Sequence, residues 1–127
     1  ACCRARGEPP RRIDNTVCPM MRAEELQFLL GGLTANSTVW EWGSGISTLY
    51  FAQCVRRWIS VEHDPAWCAE IGAARPPQAE VRCVPMEADR KAEYEAAQPP
   101  WDGSRAEFRA YVAQGSALRD LDADVVL

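Results

Sequence analysis

The sequence predicts an α/β domain whose mainly parallel sheet carries helices on both faces. Three observations carry this expectation. Short apolar runs at Val39–Trp42, Trp58–Val61, Val81–Val84 and Asp124–Leu127 alternate with segments of helical spacing, in the order α-β-α-β-α-β-α-β. Alternation of this kind calls for parallel strands joined by helical crossovers. The first run leads into Gly43-Ser44-Gly45 and then a helix-like segment, a strand–glycine turn–helix unit of Rossmann-like type. Asp64-Pro65 supplies a helix start, with Asp as the cap and Pro at the first helical position.

The elements follow in chain order. Residues 1–16 lack apolar periodicity, hold Arg4, Arg6, Arg11 and Arg12 beside Pro9-Pro10, and read as a flexible N-terminal arm. Pro19 is placed to start a helix, along which Leu26, Leu29, Leu30 and Leu33 share one face before Gly31-Gly32 stops it. Thr34–Thr38 is a turn and Val39–Trp42 the first strand. Ser47–Cys54 reads as a helix, Val55–Arg57 as a return and Trp58–Val61 as the second strand. The helix opened by Asp64-Pro65 carries Trp67, Cys68 and Ile71 and ends near Gly72. Val81–Val84 is a third strand. Residues 86–98 are compatible with a helix, and Pro99-Pro100 breaks the chain. Ser104–Glu107 has capping-box form ahead of Phe108, Tyr111 and Val112, an i, i+3, i+4 apolar face that Gly115 ends. Asp124–Leu127 opens a fourth strand inside an apolar run. The chain is therefore expected to be a fragment of a longer α/β domain, truncated after that strand and marginally stable alone.

Composition narrows the classes. The 127 residues hold one domain at most, or part of one, with ordinary globular contents of 47% hydrophobic and 25% charged residues. A net charge of −4, with scattered acids, gives no reason to expect a nucleic-acid partner. No apolar run reaches the length of a membrane span, and an intracellular setting is the expectation. The six cysteines form no C-x-x-C pair and have one histidine for company, so no metal site is expected. Cys54, Cys68 and Cys83 sit among apolar residues and read as small buried hydrophobes. Cys2 and Cys3 read as incidental thiols of the arm, with lipidation or a disulfide as alternatives.

The chemistry concentrates at two strand ends. In Gly43-Ser44-Gly45 the glycines allow a sharp turn and close approach of a ligand to the backbone, and the following helix start offers free N–H groups. Glu62, 19 positions after Gly43 (62 − 43), ends the second strand where a fixed carboxylate can accept both ribose hydroxyls of a nucleotide; the alternative is an exposed loop acid. Asp64 reads as an N-cap. His63 reads equally as a neighbour of an adenine ring or a plain loop residue. Glu41 discriminates between cofactors. A dinucleotide loop wants G-x-G-x-x-G, and here Thr48 holds the third position. An acid two residues before the first glycine disfavours a pyrophosphate and suits a cationic ligand.

E-W-G-S-G-I-S-T followed by S-V-E-H-D-P-A-W resembles the class I S-adenosylmethionine-dependent methyltransferases across roughly residues 20–85. The resemblance implies that 17–127 is part of a cofactor-binding domain holding S-adenosyl-L-methionine. It places Glu41, Gly43, Ser44 and Gly45 along the methionine portion, with Ser47 and Thr48 close by. Glu62 would lie on the ribose and His63 against the adenine, with Met86 and Glu87 near the adenine edge. It implies methyl transfer to an O or N of a small molecule or glycan, without naming a catalytic base. The alternatives are a non-catalytic α/β binding module and an NAD-dependent oxidoreductase.

Overall fold

In a computed structural model, the chain is described at Pro19 and over residues 21–87 and 108–127. These residues form a four-stranded sheet in the order β3-β2-β1-β4, comprising β1 (Thr38–Trp42), β2 (Arg57–Glu62), β3 (Ala79–Cys83) and β4 (Val125–Val126). Every pairing is parallel, with Glu41 opposite Ser60, Trp42 opposite Val61, Glu62 opposite Cys83 and Trp40 opposite Val126. The expected Rossmann-like α/β fold is observed. Its strand order reverses beside β1, and in such sheets ligands sit at the carboxyl ends of the strands flanking that reversal.

Side-chain alternation along β1 builds two cores. Val39 joins Leu30, Leu33, Phe51 and Trp58 on one face, where Phe51 stacks on Trp58 at 6.0 Å and 13° between planes. Trp40 joins Ile59 and Val61 on the other, with Tyr111, Leu118 and Leu121 packed against them. Trp40, Trp58, Phe51 and Ile59 are wholly buried, and each such side chain contributes roughly 1.5–3 kcal/mol by leaving water.

The first face is covered by α1 (Ala23–Gly32) and α2 (Ile46–Phe51, continued by a 3-10 turn over Ala52–Cys54), and α3 (Pro65–Ala74) lies beside α2 against β2 and β3. The second is covered by α4 (Arg109–Ala113), a 3-10 turn (Gln114–Ala117) and α5 (Leu118–Leu121). Leu30 and Leu33 are buried and Leu26 and Leu29 pack beside them, the face expected from the leucine spacing. Asp64 caps α3 as expected, its carboxylate accepting from the N–H groups of Ala66 (2.8 Å) and Trp67 (3.0 Å). β4 is tied to the start of β1 by Asp124, whose Oδ2 accepts from the Thr38 N–H at 2.7 Å.

Several boundaries differ from expectation. α1 begins at Ala23 rather than at Pro19, and runs through Gly31-Gly32 to a cap at Leu33. α3 runs two residues past Gly72, and β3 starts at Ala79, two residues ahead of its apolar core. Gly115 does not end helical structure, because the backbone continues through the 3-10 turn into α5. Residues 84–87 carry no regular structure. The N-terminal arm, the helix expected beyond residue 87 and the capping box at 104–107 lie outside the described residues.

The cysteine reading needs correction at Cys83. Cys54 is buried in the first core, as expected. Cys68 is buried but bonded to Cys83, which is exposed at the end of β3. The pair joins α3 to the strand end beside Glu62; two-residue alternation puts Cys83 on the same face as buried Ala79, and its place at the end of β3 is what exposes it.

Candidate functional site

The expected site residues come together at the carboxyl ends of β1 and β2. After Trp42 the chain turns at Gly43, whose φ of 83° belongs to the left-handed region that favours glycine. Gly45 differs, since its φ of 176° is extended backbone and a Cβ there would meet open space. Only the first glycine is demanded by the turn itself.

Glu62 joins the two loops. It is 4% exposed. Its Oε2 accepts from the Ser44 N–H at 2.8 Å and the Ser44 hydroxyl at 3.1 Å. Its Oε1 accepts from the N–H groups of His63 at 2.8 Å and Asp64 at 2.9 Å. Burial raises the affinity of this carboxyl for its proton. The three backbone N–H groups and the Ser44 hydroxyl together outweigh burial and hold it below its ordinary value. His63 is exposed, with Nδ1 3.2 Å from Glu62 Oε1.

Glu41 points into the first core, not along the loop. It is 5% exposed. Oε2 accepts from the Thr48 hydroxyl (2.5 Å), the Ser60 hydroxyl (2.6 Å) and the Trp58 indole N–H (2.9 Å), while Oε1 accepts from the Ser47 hydroxyl. Thr48 is fully buried, and its hydroxyl also accepts from the Gly45 N–H at 3.0 Å. Glu41 therefore acts on the loop through Ser47 and Thr48, fixing where α2 begins. Met86 and Glu87 are half-buried in the irregular stretch after β3, whose Val84 N–H donates to the Glu62 carbonyl at 2.7 Å.

Two further residues reach the loop. The Trp67 indole N–H donates to the Ser44 carbonyl at 2.7 Å, fastening α3 to the turn. The Tyr111 hydroxyl accepts from the Gly43 N–H at 2.8 Å. Its ring lies 5.1 Å from that of Trp42 and 5.9 Å from that of His63, while Phe108 lies 5.3 Å from His63. Burial pushes the Tyr111 phenol up, the Gly43 N–H pulls it down, and the charges of Glu62 and Glu41 raise it further. It stays a neutral phenol near pH 7. Sequence spacing marked Tyr111 only as part of an apolar helix face. Its periodicity carried no sign of the loop contact, which spans 68 residues.

No group of three or more metal-ligating side chains occurs among the described residues, and no helix among them is long and apolar enough to cross a membrane. What the arrangement offers is a rigid turn, one carboxylate beside a backbone amide, and an aromatic wall. Comparison of the chain with protein-family models, curated proteins and solved structures returns no match.

Proposed function

We propose that this chain carries the cofactor-binding part of an S-adenosylmethionine-dependent methyltransferase acting on an O or N of a small molecule or glycan. The observation that carries the reading is the junction of Glu62 with the glycine turn, Oε2 to Ser44 N–H at 2.8 Å, beside the reversal of strand order. Glu62 has two oxygens with about four acceptor positions, all engaged within the chain. The Ser44 hydroxyl, at 3.1 Å, is the donor that side-chain rotation alone can release. A ribose hydroxyl would take that place, so Glu62 and Ser44 would hold an adenosine group at this point. S-adenosylmethionine supplies the methyl group when bound. The chain's own residues hold and orient it, Glu62 at the ribose and Gly43–Gly45 along the amino-acid portion. Glu41 holds the turn from beneath through Ser47 and Thr48. Orientation and exclusion of water supply the rate.

Thr48 argues against a dinucleotide. The third position of the fingerprint is filled by a buried side chain that anchors Glu41, where a dinucleotide loop uses glycine for close helix–strand packing. One observation favours a second reading, a non-catalytic α/β binding module. The acceptors of Glu62 and the Gly43 N–H are satisfied internally, so the turn is complete without a ligand.

Calorimetric titration with S-adenosylhomocysteine and with NAD tests the reading. The expected result is binding of the first alone, weakened about tenfold or more in Glu62→Gln through loss of a charge-assisted hydrogen bond. NAD binding would redirect the assignment to an oxidoreductase. Binding of neither would leave the non-catalytic module.

A further inference from the structure

Tyr111 comes from the helical layer on the second sheet face, yet its hydroxyl ends on the first residue of the turn, 2.8 Å from the Gly43 nitrogen. That N–H is shared, since it also lies 2.8 Å from the Val61 carbonyl of β2. The shared donor belongs to the residue with positive φ, the one place in the turn where the backbone depends on glycine. A second contact holds the same segment in place. A Cβ at Gly115 would stand 3.3 Å from the Trp42 ring, so the 3-10 turn following α4 lies directly against the end of β1. Between these anchors the rings of Trp42, His63, Phe108 and Tyr111 form a continuous cluster, tilted between Trp42 and Tyr111 and edge-to-face among the other three, joining β1, the loop after β2 and the start of α4.

We propose that Tyr111 is a positioning residue of the cofactor site, clamping the Gly43 amide and thereby fixing the turn against which an adenosine ligand with an amino-acid tail is held. This rests on the methyltransferase reading and adds to it a residue from outside the two sequence motifs. A phenol that accepts from Gly43 keeps its own proton to donate, so the clamp also offers a donor to an acceptor atom of a ligand lying on the turn. The ring contributes separately, by packing on Trp42. Replacement of Tyr111 by Phe removes the clamp and keeps the packing.

The test compares the full chain with its Tyr111→Phe and Gly115→Val variants. Gly115→Val pushes the segment away from Trp42 while leaving the hydroxyl intact. Amide hydrogen exchange at Gly43 is read by NMR, and S-adenosylhomocysteine affinity by calorimetry. Loss of one neutral hydrogen bond from a shared donor is expected to speed Gly43 exchange about threefold in Tyr111→Phe and to weaken ligand binding about fivefold. Gly115→Val is expected to speed Gly43 exchange as well. Unchanged Gly43 exchange in both variants would overturn the clamp. Ligand binding by the parent that is equally tight in Tyr111→Phe would overturn its role toward the ligand. If the parent binds no S-adenosylhomocysteine, the methyltransferase reading falls by itself. Gly43 exchange then decides the clamp alone, faster exchange supporting it and unchanged exchange overturning it.

Discussion

Replacing Glu41 separates a residue that holds the fold from one that only touches a ligand. Its carboxylate receives four side-chain donors, from Ser47, Thr48, Trp58 and Ser60. In Glu41→Ala these donors must find other partners. The Trp58 indole N–H retains the Ser60 hydroxyl at 3.0 Å. The Thr48 and Ser60 hydroxyls lie 3.1 Å apart and can share one hydrogen bond. Ser47 is half-buried and can turn to water. One buried hydroxyl proton is then left unpaired, which costs about 1–3 kcal/mol, and the surviving bonds lose a charged acceptor worth about 1 kcal/mol each. Release of a buried carboxylate offsets part of this, leaving a net loss of about 3 kcal/mol. Glu41→Gln keeps an acceptor oxygen toward Thr48, Trp58 and Ser60 and places its amide nitrogen at Ser47, whose hydroxyl can turn to accept. That change should cost about 1 kcal/mol. Urea unfolding of the parent and both variants measures the differences. An Ala variant as stable as the parent, or a Gln variant as unstable as the Ala one, would refute this accounting.

Three other outcomes are expected. Glu62 has a proton affinity lower in the folded chain than its ordinary value of 4.5, so it favours folding above that pH, and this contribution is lost as pH falls below 4.5; Glu62→Gln should flatten the acid limb of a stability–pH curve, and an unchanged limb would count against the hydrogen-bond count at Glu62. The Cys68–Cys83 bond closes a separation of 15 residues, for which chain entropy gives about 3 kcal/mol. Unfolding midpoints with and without reductant should differ accordingly, and coincident curves would oppose it. Gly43→Ala should cost about 1–2 kcal/mol because of its positive φ, while Gly45→Ala, extended and unobstructed, should cost far less. Equal losses in a paired thermal melt would argue against that distinction.

Much of the fold was legible because its signals are local. The Asp64-Pro65 cap, the leucine face of α1 and the acid closing β2 each depend on neighbours within a few residues. The direction of Glu41 was not legible. Its deciding partners, Trp58 and Ser60, lie 17 and 19 residues onward and meet it only through the register of β1 with β2. An acid near a glycine turn reads as facing a ligand until a neighbouring strand offers it donors. Cys83 misled for a similar reason, since its apolar neighbours suggest a core position while its place at a strand end exposes it. Tyr111 needed both sheet faces, because its helical spacing accounts for its packing and leaves the hydroxyl unexplained. Gly115 read as a helix stop, but its lack of a side chain serves close approach to Trp42.

The strand order also has a consequence for how the chain assembles. β1 meets β2 across 19 residues (57 − 38) and β4 across 86 (125 − 39). Closing the longer loop costs more entropy, and contacts distant in sequence slow the search for the native state. β1, β2 and β3, with α2 and α3, are therefore expected to condense first as one cooperative unit. β4 would join later, along with the helices that carry Tyr111. On this view the motif-bearing half is the nucleus and the closing half its slowest addition. Mutations at Ile59 should slow folding, whereas mutations at Val125 should mainly hasten unfolding. Stopped-flow folding of the two variants would show the opposite pattern if β4 docked early.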